Sequence, residues 1–329
     1  MPKIVRFHKT GGPEVLKLDE LPLATPGPGE VRIKVAAFGL NRAELLFRQA
    51  LYLERPKLPS RLGYEASGVV DAVGPDVSEP RVGDRVSTIP AFSMRKYGVY
   101  GESCIVPARV AVTFPNRLTL TEGAAIWMAF LTAYGALVEV GKLHRDDTVV
   151  ISAASSSVGL AAIQIAKALG ASAVATTRGP FKRSMLMNAG ADHVIVTDEE
   201  NLTRRIKEIT GGVGARLIFD AVAGPFLDKL AKAAAPGGIV IEYGALALQP
   251  TPFPLAEALS KGLTVRGYTL FETTRDPARL AAARQFVTEG LGSGAFKPII
   301  SRVFTLDEIV EAHRFMESSS HVGKIVVSV

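Results

Sequence analysis

Val149-Val-Ile-Ser-Ala-Ala-Ser-Ser-Ser-Val-Gly-Leu-Ala-Ala-Ile-Gln-Ile-Ala-Lys-Ala-Leu169 reads as a buried strand that runs through small residues into a helix, apolar apart from Gln164 and Lys167. Small residues suit such a junction because the turn must be tight and the helix must pack closely on the strand. The first N–H groups of the helix have no partner inside it and face an anion readily. A stricter phosphate-binding turn would hold more glycine than this one, where Ala153, Ala154 and Ser155 to Ser157 precede the single Gly159. Alone, the stretch fits an ordinary strand-to-helix turn as well as a dinucleotide site.

Its neighbours decide between the two. Downstream, strand-like runs at Ala173-Thr177, His193-Val196, Arg216-Asp220, Ile239-Tyr243 and Thr264-Tyr268 follow the first strand, Thr148-Ala153. Helical patterns at Val158-Leu169, Phe181-Ala189, Leu202-Ile209 and Leu227-Ala234 separate the first five. Parallel strands need crossovers, so this alternation predicts an α/β, doubly wound parallel sheet with helices on both faces. The quoted stretch is its first crossover, where such a sheet binds its dinucleotide. Upstream, short strands at Lys3-Phe7, Val15-Asp19, Val31-Phe38, Ser67-Val73 and Arg85-Ile89 with Gly and Pro punctuation predict a barrel-like β domain. Asn41 to Gln49 interrupts it as a helix capped by Asn41, with Leu45 and Leu46 inward. The terminal strand Lys324-Ser328 is placed back in the first domain. The expected division is 1–120 with 285–329, against 121–284.

The second strand of the array ends Ala175-Thr-Thr-Arg-Gly-Pro-Phe-Lys-Arg183. An acidic residue here would pair with a ribose hydroxyl and repel a 2′-phosphate. None is present, and Thr177, Arg178, Lys182 and Arg183 offer charge-assisted hydrogen bonds instead. NADPH is therefore expected over NADH.

Composition narrows the field. The chain has 329 residues, 47% hydrophobic and 21% charged, with net charge +6. Its Lys and Arg are scattered and its aromatic content is 7%, so a nucleic-acid face of basic and aromatic residues is not indicated. The absence of a long apolar run or a leader-like N-terminus places it in the cytoplasm, away from membranes. One cysteine, Cys104, rules out an intramolecular disulfide and any thiolate-rich metal site.

Taken with Phe7-His-Lys-Thr-Gly-Gly-Pro-Glu-Val-Leu16, Gly39-Leu-Asn41, Leu62-Gly-Tyr-Glu-Ala-Ser-Gly-Val-Val70, Val82-Gly-Asp-Arg-Val86, Leu131-Thr-Ala-Tyr134 and Gly323-Lys-Ile-Val-Val327, the chain resembles the medium-chain dehydrogenase/reductase superfamily. Within it, the chain resembles the zinc-independent quinone oxidoreductases. The resemblance implies a Rossmann domain and a GroES-like β-barrel catalytic domain. Where the family's zinc enzymes carry Cys, His beside Glu, and a second Cys, this chain has Asn41, Tyr64 beside Glu65, and Met128. None of the three is a zinc donor, so no zinc is expected. The five histidines lack paired ligand spacing and read as surface or hydrogen-bonded. Glu65 reads as a carboxylate pairing with an Arg.

Carried across by resemblance, Asn41 and Thr132 lie near the nicotinamide and its ribose, and Ser156, Ser157 and Val158 at the pyrophosphate. Thr177, Arg178 and Lys182 face the 2′-phosphate. Tyr243, Gly244 and Ala245 border the cofactor, Leu270 and Phe271 the nicotinamide, and Lys324 lies near it. Asn41, Tyr52 and Tyr64 are the candidate catalytic residues, the tyrosines as proton donors. The expected reaction is hydride transfer from NADPH to an electrophilic small molecule, a quinone or conjugated carbonyl, in a dry cleft between the domains. Without a Lewis acid, acceptors whose reduction gives a delocalised oxyanion are favoured. Enoyl or alkenal double-bond reduction is an alternative. Another class, single-stranded RNA binding, is implied by some relatives only. The family also implies a homodimer through the sheet edge Thr264-Tyr268.

Overall fold

Val149, Val150 and Ile151 are all fully buried, as a strand covered on both faces requires. They form the centre of a parallel sheet in the computed structural model, which describes residues 1–329. The chain divides into two units, Met1–Met128 with Pro298–Val329, and Ala129–Lys297.

The first unit begins with β1 (Lys3–Phe7), β2 (Leu16–Glu20), β3 (Glu30–Gly39), β4 (Glu65–Val73), β5 (Arg85–Thr88), β6 (Ser103–Pro107) and β7 (Ala111–Thr113). The second carries β8 (Thr148–Ile151), β9 (Ser172–Thr177), β10 (His193–Val196), β11 (Ala215–Asp220), β12 (Ala234–Glu242) and β13 (Thr264–Gly267). The chain then returns to the first unit for β14 (Ile300–Thr305) and β15 (Lys324–Ser328).

The second unit's sheet runs β10-β9-β8-β11-β12-β13, every pair parallel. Strand order reverses between β8 and β11, and a doubly wound sheet offers its ligand crevice at the carboxyl ends beside that point. The expected Rossmann architecture is present, with five crossovers. Val174, Val150, Ile218 and Val240 form one apolar row across the sheet in register. Leu202, Ile206, Leu227 and Leu230 of helices Leu202–Ile209 and Phe226–Ala233 belong to the same core.

In the first unit, β14, β15, β3, β4, β5 and β7 follow one another in a single sheet, with β6 also pairing β3. The terminal strand rejoins this unit as expected, with Val326 opposite Gly39. The boundaries differ from 120/121 and 284/285. Residues 121–128 stay with the first unit, where Ala124 and Ala125 pack with Ala37 and Val326 and Trp127 Nε1 donates to Ser87 Oγ at 2.7 Å. Residues 285–297 belong to the second because helix Pro277–Ser293 runs unbroken past Arg284. Phe296, beyond its end, stacks on Phe130 at 5.2 Å. In helix Arg42–Arg48 the inward residues are Glu44, Leu45, Phe47 and Arg48; Leu46 is half-buried.

Candidate active site

The first unit gathers four charged or amide side chains from distant positions in the sequence. Asn41 leaves β3 in an extended conformation and caps helix Arg42–Arg48, putting Glu44 in its first turn. Glu65 opens β4 and Lys324 opens β15. Lys324, 1% exposed, donates to Asn41 Oδ1 at 2.5 Å and pairs with Glu65 Oε2. Glu65 Oε1 accepts from the Met128 backbone N–H at 2.9 Å. Gly39 makes room for this arrangement: a Cβ there would lie 2.1 Å from the Ala124 carbonyl oxygen and 2.5 Å from Lys324 Cε.

Glu44 is fully buried. Its Oε2 accepts from the Asn41 backbone N–H at 2.7 Å, and its Oε1 from Asn41 Nδ2 at 3.3 Å and from the Tyr64 backbone N–H at 3.1 Å. Burial pushes this carboxyl up to about 7, against the opposing pull of Lys324 and the hydrogen bonds from Asn41 and Tyr64.

Tyr64 is buried and Tyr52 half-buried, their rings edge to face at 6.3 Å. Their hydroxyls are coupled by a hydrogen bond. Glu54 ties the Tyr52 loop to the following one, accepting from Ser93 Oγ at 2.5 Å and the Met94 N–H at 2.7 Å. Burial raises the Tyr52 phenol to about 12 and that of Tyr64 further. Both are therefore neutral donors near pH 7, and Tyr52 is the more exposed.

In the second unit, Ser156 caps helix Ser157–Ala168, its Oγ accepting from the Gly159 N–H at 3.0 Å. The N–H groups of Ser157 and Val158 in the first turn have no partner within the helix. A Cβ at Gly159 would lie 2.6 Å from the Ala154 Cα and carbonyl oxygen, so this glycine supplies the close packing that the turn requires. Ala153 takes a left-handed φ of 44°. Lys182 is 6% exposed and donates to Ser155 Oγ at 3.0 Å, so its charge belongs to the serine turn. Burial, with Arg178 adding repulsion, lowers its pKa. Arg178 is exposed, and Thr177 Oγ1 donates to the Gly179 carbonyl at 3.4 Å. Arg183 is committed elsewhere, to Glu200 at 2.7 Å.

Tyr243 stacks on Phe219 at 3.9 Å, with its phenol beside Ser156. Gly244 and Ala245 follow it beyond β12. Leu270 is buried before the short helix Phe271–Thr274, and Arg275 covers the Phe271 ring at 5.2 Å. Thr132 lies nearly buried in helix Trp127–Tyr134.

Residues 27–116 match the family model described as the alcohol dehydrogenase GroES-like domain, and 157–289 match that of the zinc-binding dehydrogenases. The chain is 32% identical to the quinone oxidoreductase of Homo sapiens over 330 residues, covering 99% of this chain and 97% of the relative. With that of Pseudomonas aeruginosa it shares 32% over 328 residues, 99% of each. It belongs to the quinone oxidoreductase branch of the medium-chain dehydrogenase/reductases. As a member of that branch it is an oxidoreductase with a Rossmann unit and a GroES-like unit. Among solved structures it is similar to the Escherichia coli quinone oxidoreductase complexed with NADPH, with TM-score 0.91 and 30% identity over 99% of this chain and 100% of the other. An NAD-dependent alcohol dehydrogenase gives 0.92 at 30%, covering 99% of each chain, and the CurK enoyl reductase 0.87 at 26%, also 99% of each.

Within this quinone oxidoreductase-like chain, the candidate residues form two groups, one per unit. Asn41, Tyr52, Tyr64 and Lys324 belong to the first; the serine turn, Lys182 and Tyr243 to the second. Two readings change. Glu65 pairs with Lys324 and no arginine, because β15 brings that ammonium to the start of β4. The same ammonium also donates to Asn41. His313 is fully buried with neither ring nitrogen hydrogen-bonded, where a surface or bonded histidine was expected. Sequence reasoning missed Glu44 and Glu54. Asn41 followed three residues later by Glu44 was the one available sign, the pattern of a capping box.

No helix is long and apolar enough to cross a membrane. No three His, Cys, Asp or Glu side chains come together as a metal-holding group.

Proposed function

We propose that this chain is an NADPH-dependent, zinc-independent reductase of quinones or other conjugated carbonyl acceptors. The observation that carries the reading is the buried Lys324 ammonium, held by Asn41 and by Glu65, whose other carboxylate oxygen accepts from the Met128 backbone N–H. Around the positions where zinc relatives would hold a metal, this chain supplies an amide, a phenol, a thioether and its own fixed cation. A divalent cation beside that ammonium would be repelled, and the ligand atoms do not suit zinc.

The second unit fits NADPH. The helix N-terminus behind Ser156 supplies free N–H groups for the pyrophosphate, and Gly159 allows the approach. With Lys182 at Ser155, Arg178 at the end of β9 and no carboxylate there, a 2′-phosphate meets positive charge. When bound, NADPH supplies the hydride. Asn41, its amide oriented by Lys324 and Glu44, is the fixed dipole that the first unit offers the reaction. Tyr52, kept protonated by burial, stabilises the oxyanion of the reduced acceptor by hydrogen bonding, and solvent delivers the final proton.

The likeness to an enoyl reductase favours, as a second reading, reduction of enoyl or alkenal double bonds on the same residues. RNA binding has less support, since the basic residues that stand out serve the nucleotide turn. We also propose a cytoplasmic homodimer joined at β13, which has a neighbour on one side only and exposed Leu248, Phe253 and Leu259 in the segment before it.

The test is NADPH oxidation with a panel of quinones, enones, enoyl thioesters and aldehydes, with and without a chelator, beside NAD-linked alcohol oxidation. Chelator-resistant turnover of a quinone or enone is expected. Loss of turnover on chelation, or turnover of alcohol alone, would overturn the proposal.

A further inference from the structure

Glu44 is unusual among the acids of the first unit because it is fully buried and no cation touches it. Lys324 is in contact with Glu65 and Asn41, and Glu44 feels that ammonium only through space. With two carboxylates and one ammonium, the cluster carries one excess negative charge when both acids are ionised. Proton uptake at Glu44 would remove it while leaving the Glu65 contact intact. Other titratable groups face Glu44 as well. Tyr64 stands before β4, Tyr52 lies in the loop after the helix, and Tyr100 precedes β6; each phenol is disfavoured from ionising by burial first and by the Glu44 charge in addition. Arg48 lies one turn along its own helix and is paired with Glu317 at 2.6 Å.

The hydrogen bonds show what this carboxylate holds. It accepts from both the backbone and the side chain of Asn41, and from the backbone of Tyr64. Asn41 is thereby held at both ends of its amide, Oδ1 by Lys324 and Nδ2 by Glu44. A reversed amide would set NH2 against the ammonium and oxygen against the carboxylate. An ordinary capping box would account for the bonds within the helix turn, but not for Tyr64, 20 residues away on another segment.

We propose that Glu44 is a positioning residue whose carboxylate fixes Asn41 and Tyr64 together, and that its protonation loosens both. The inference rests on Asn41 and Tyr64 serving the reductase reaction proposed above. The raised carboxyl, about 7, places the change within the working range. Below that pH a neutral carboxyl keeps one good acceptor for three donors. Above it, all three are satisfied and the amide is held.

The test uses the full chain, NADPH and the best acceptor from the panel. Single-turnover hydride transfer is followed from about pH 5.5 to about 9, roughly 1.5 units below and 2 above the titration, with steady-state kcat and KM measured in parallel. The wild-type rate should rise through a step near pH 7. Glu44→Gln places an NH2 group against an N–H donor. It should abolish the step and lower kcat roughly 10- to 100-fold, as expected for a misplaced site group, with a much smaller change in KM for NADPH. Glu44→Asp keeps the charge on a shorter arm and should recover part of kcat, with its step displaced. Should the Gln variant not fold, the Asp variant carries the test: a displaced step supports the proposal, an unmoved one overturns it. A step retained in Glu44→Gln, or kcat unchanged in the folded protein, also overturns it. Absence of turnover by the wild-type chain with every acceptor would instead count against the reductase reading, and is thereby distinguished.

Discussion

The ionic cluster of the first unit and the serine turn of the second solve opposite electrostatic problems. In the first, a buried ammonium pairs with one buried carboxylate and acts on a second through space, all from within the chain. In the second, a helix N-terminus, a largely buried Lys182 and an exposed Arg178 collect positive charge with no carboxylate at the end of β9. The first region is complete without a ligand and should behave as part of the fold. The second is suited to an anion and should gain stability when one binds.

Removing the central charge is the hardest blow to this contrast. Lys324→Met strands Glu65 and leaves Asn41 Oδ1 without its donor, so unfolding free energy should fall by about 3–5 kcal/mol and turnover should collapse. Denaturant unfolding of the Lys324→Met, Glu65→Leu double variant sharpens it. Stability should return in part, because Glu65 is no longer stranded while Glu44 stays buried without the pull of the ammonium, whereas turnover should not. Recovery of both would mean that the cluster serves the fold alone.

Gly159→Ala attacks the other region. Its Cβ meets Ala154 backbone at 2.6 Å, so helix and turn must separate, at a cost of about 1–3 kcal/mol. Nucleotide affinity should fall with it, and an unchanged Kd would show that the turn does not shape the site. The reverse change is gentler. Ala153→Gly relieves a left-handed φ of 44°, and should be neutral or stabilising by up to about 1 kcal/mol in the same unfolding assay.

Acid probes the first unit at a position outside the cluster. His313 is buried between Arg48 and Tyr100, and burial, with Arg48 second, lowers its pKa from 6.5 to about 3. The unfolded chain therefore takes up this proton first as pH falls. Its contribution to stability is intact above pH 6.5 and declines steadily toward about 3. In His313→Leu, that part of the acid slope should vanish from urea unfolding curves collected between those limits; an unaltered slope would assign it to other groups.

Much of the second unit was legible because its strands are continuous apolar runs with glycine stops, and periodicity reports those directly. The β10 and β15 strands fall where the pattern puts them, at His193–Val196 and Lys324–Ser328. The missing acid after β9 was equally readable, being a local feature. What could not be read was who meets whom. Asn41 and Lys324 are 283 positions apart, and Glu65 finds its cation only through the return of β15. Glu44 reads as a polar residue in a first helical turn, where acids are common on exposed surfaces; its burial and its bond to the Tyr64 N–H, 20 residues on, belong to the tertiary fold. Strand β14 and the helix Pro277–Ser293 escaped because their apolar residues are interrupted by charged or small ones, and the helix carried the unit boundary with it.

The most direct test of the contrast is calorimetric titration of NADPH and NADH into the wild-type chain and into Arg178→Ala, Lys182→Ala. The account predicts that wild type binds NADPH the more tightly, and that the double variant loses about 10- to 100-fold for NADPH, the size of one or two charge-assisted hydrogen bonds, while NADH affinity changes little. Equal losses for both nucleotides, or a wild-type preference for NADH, would contradict it.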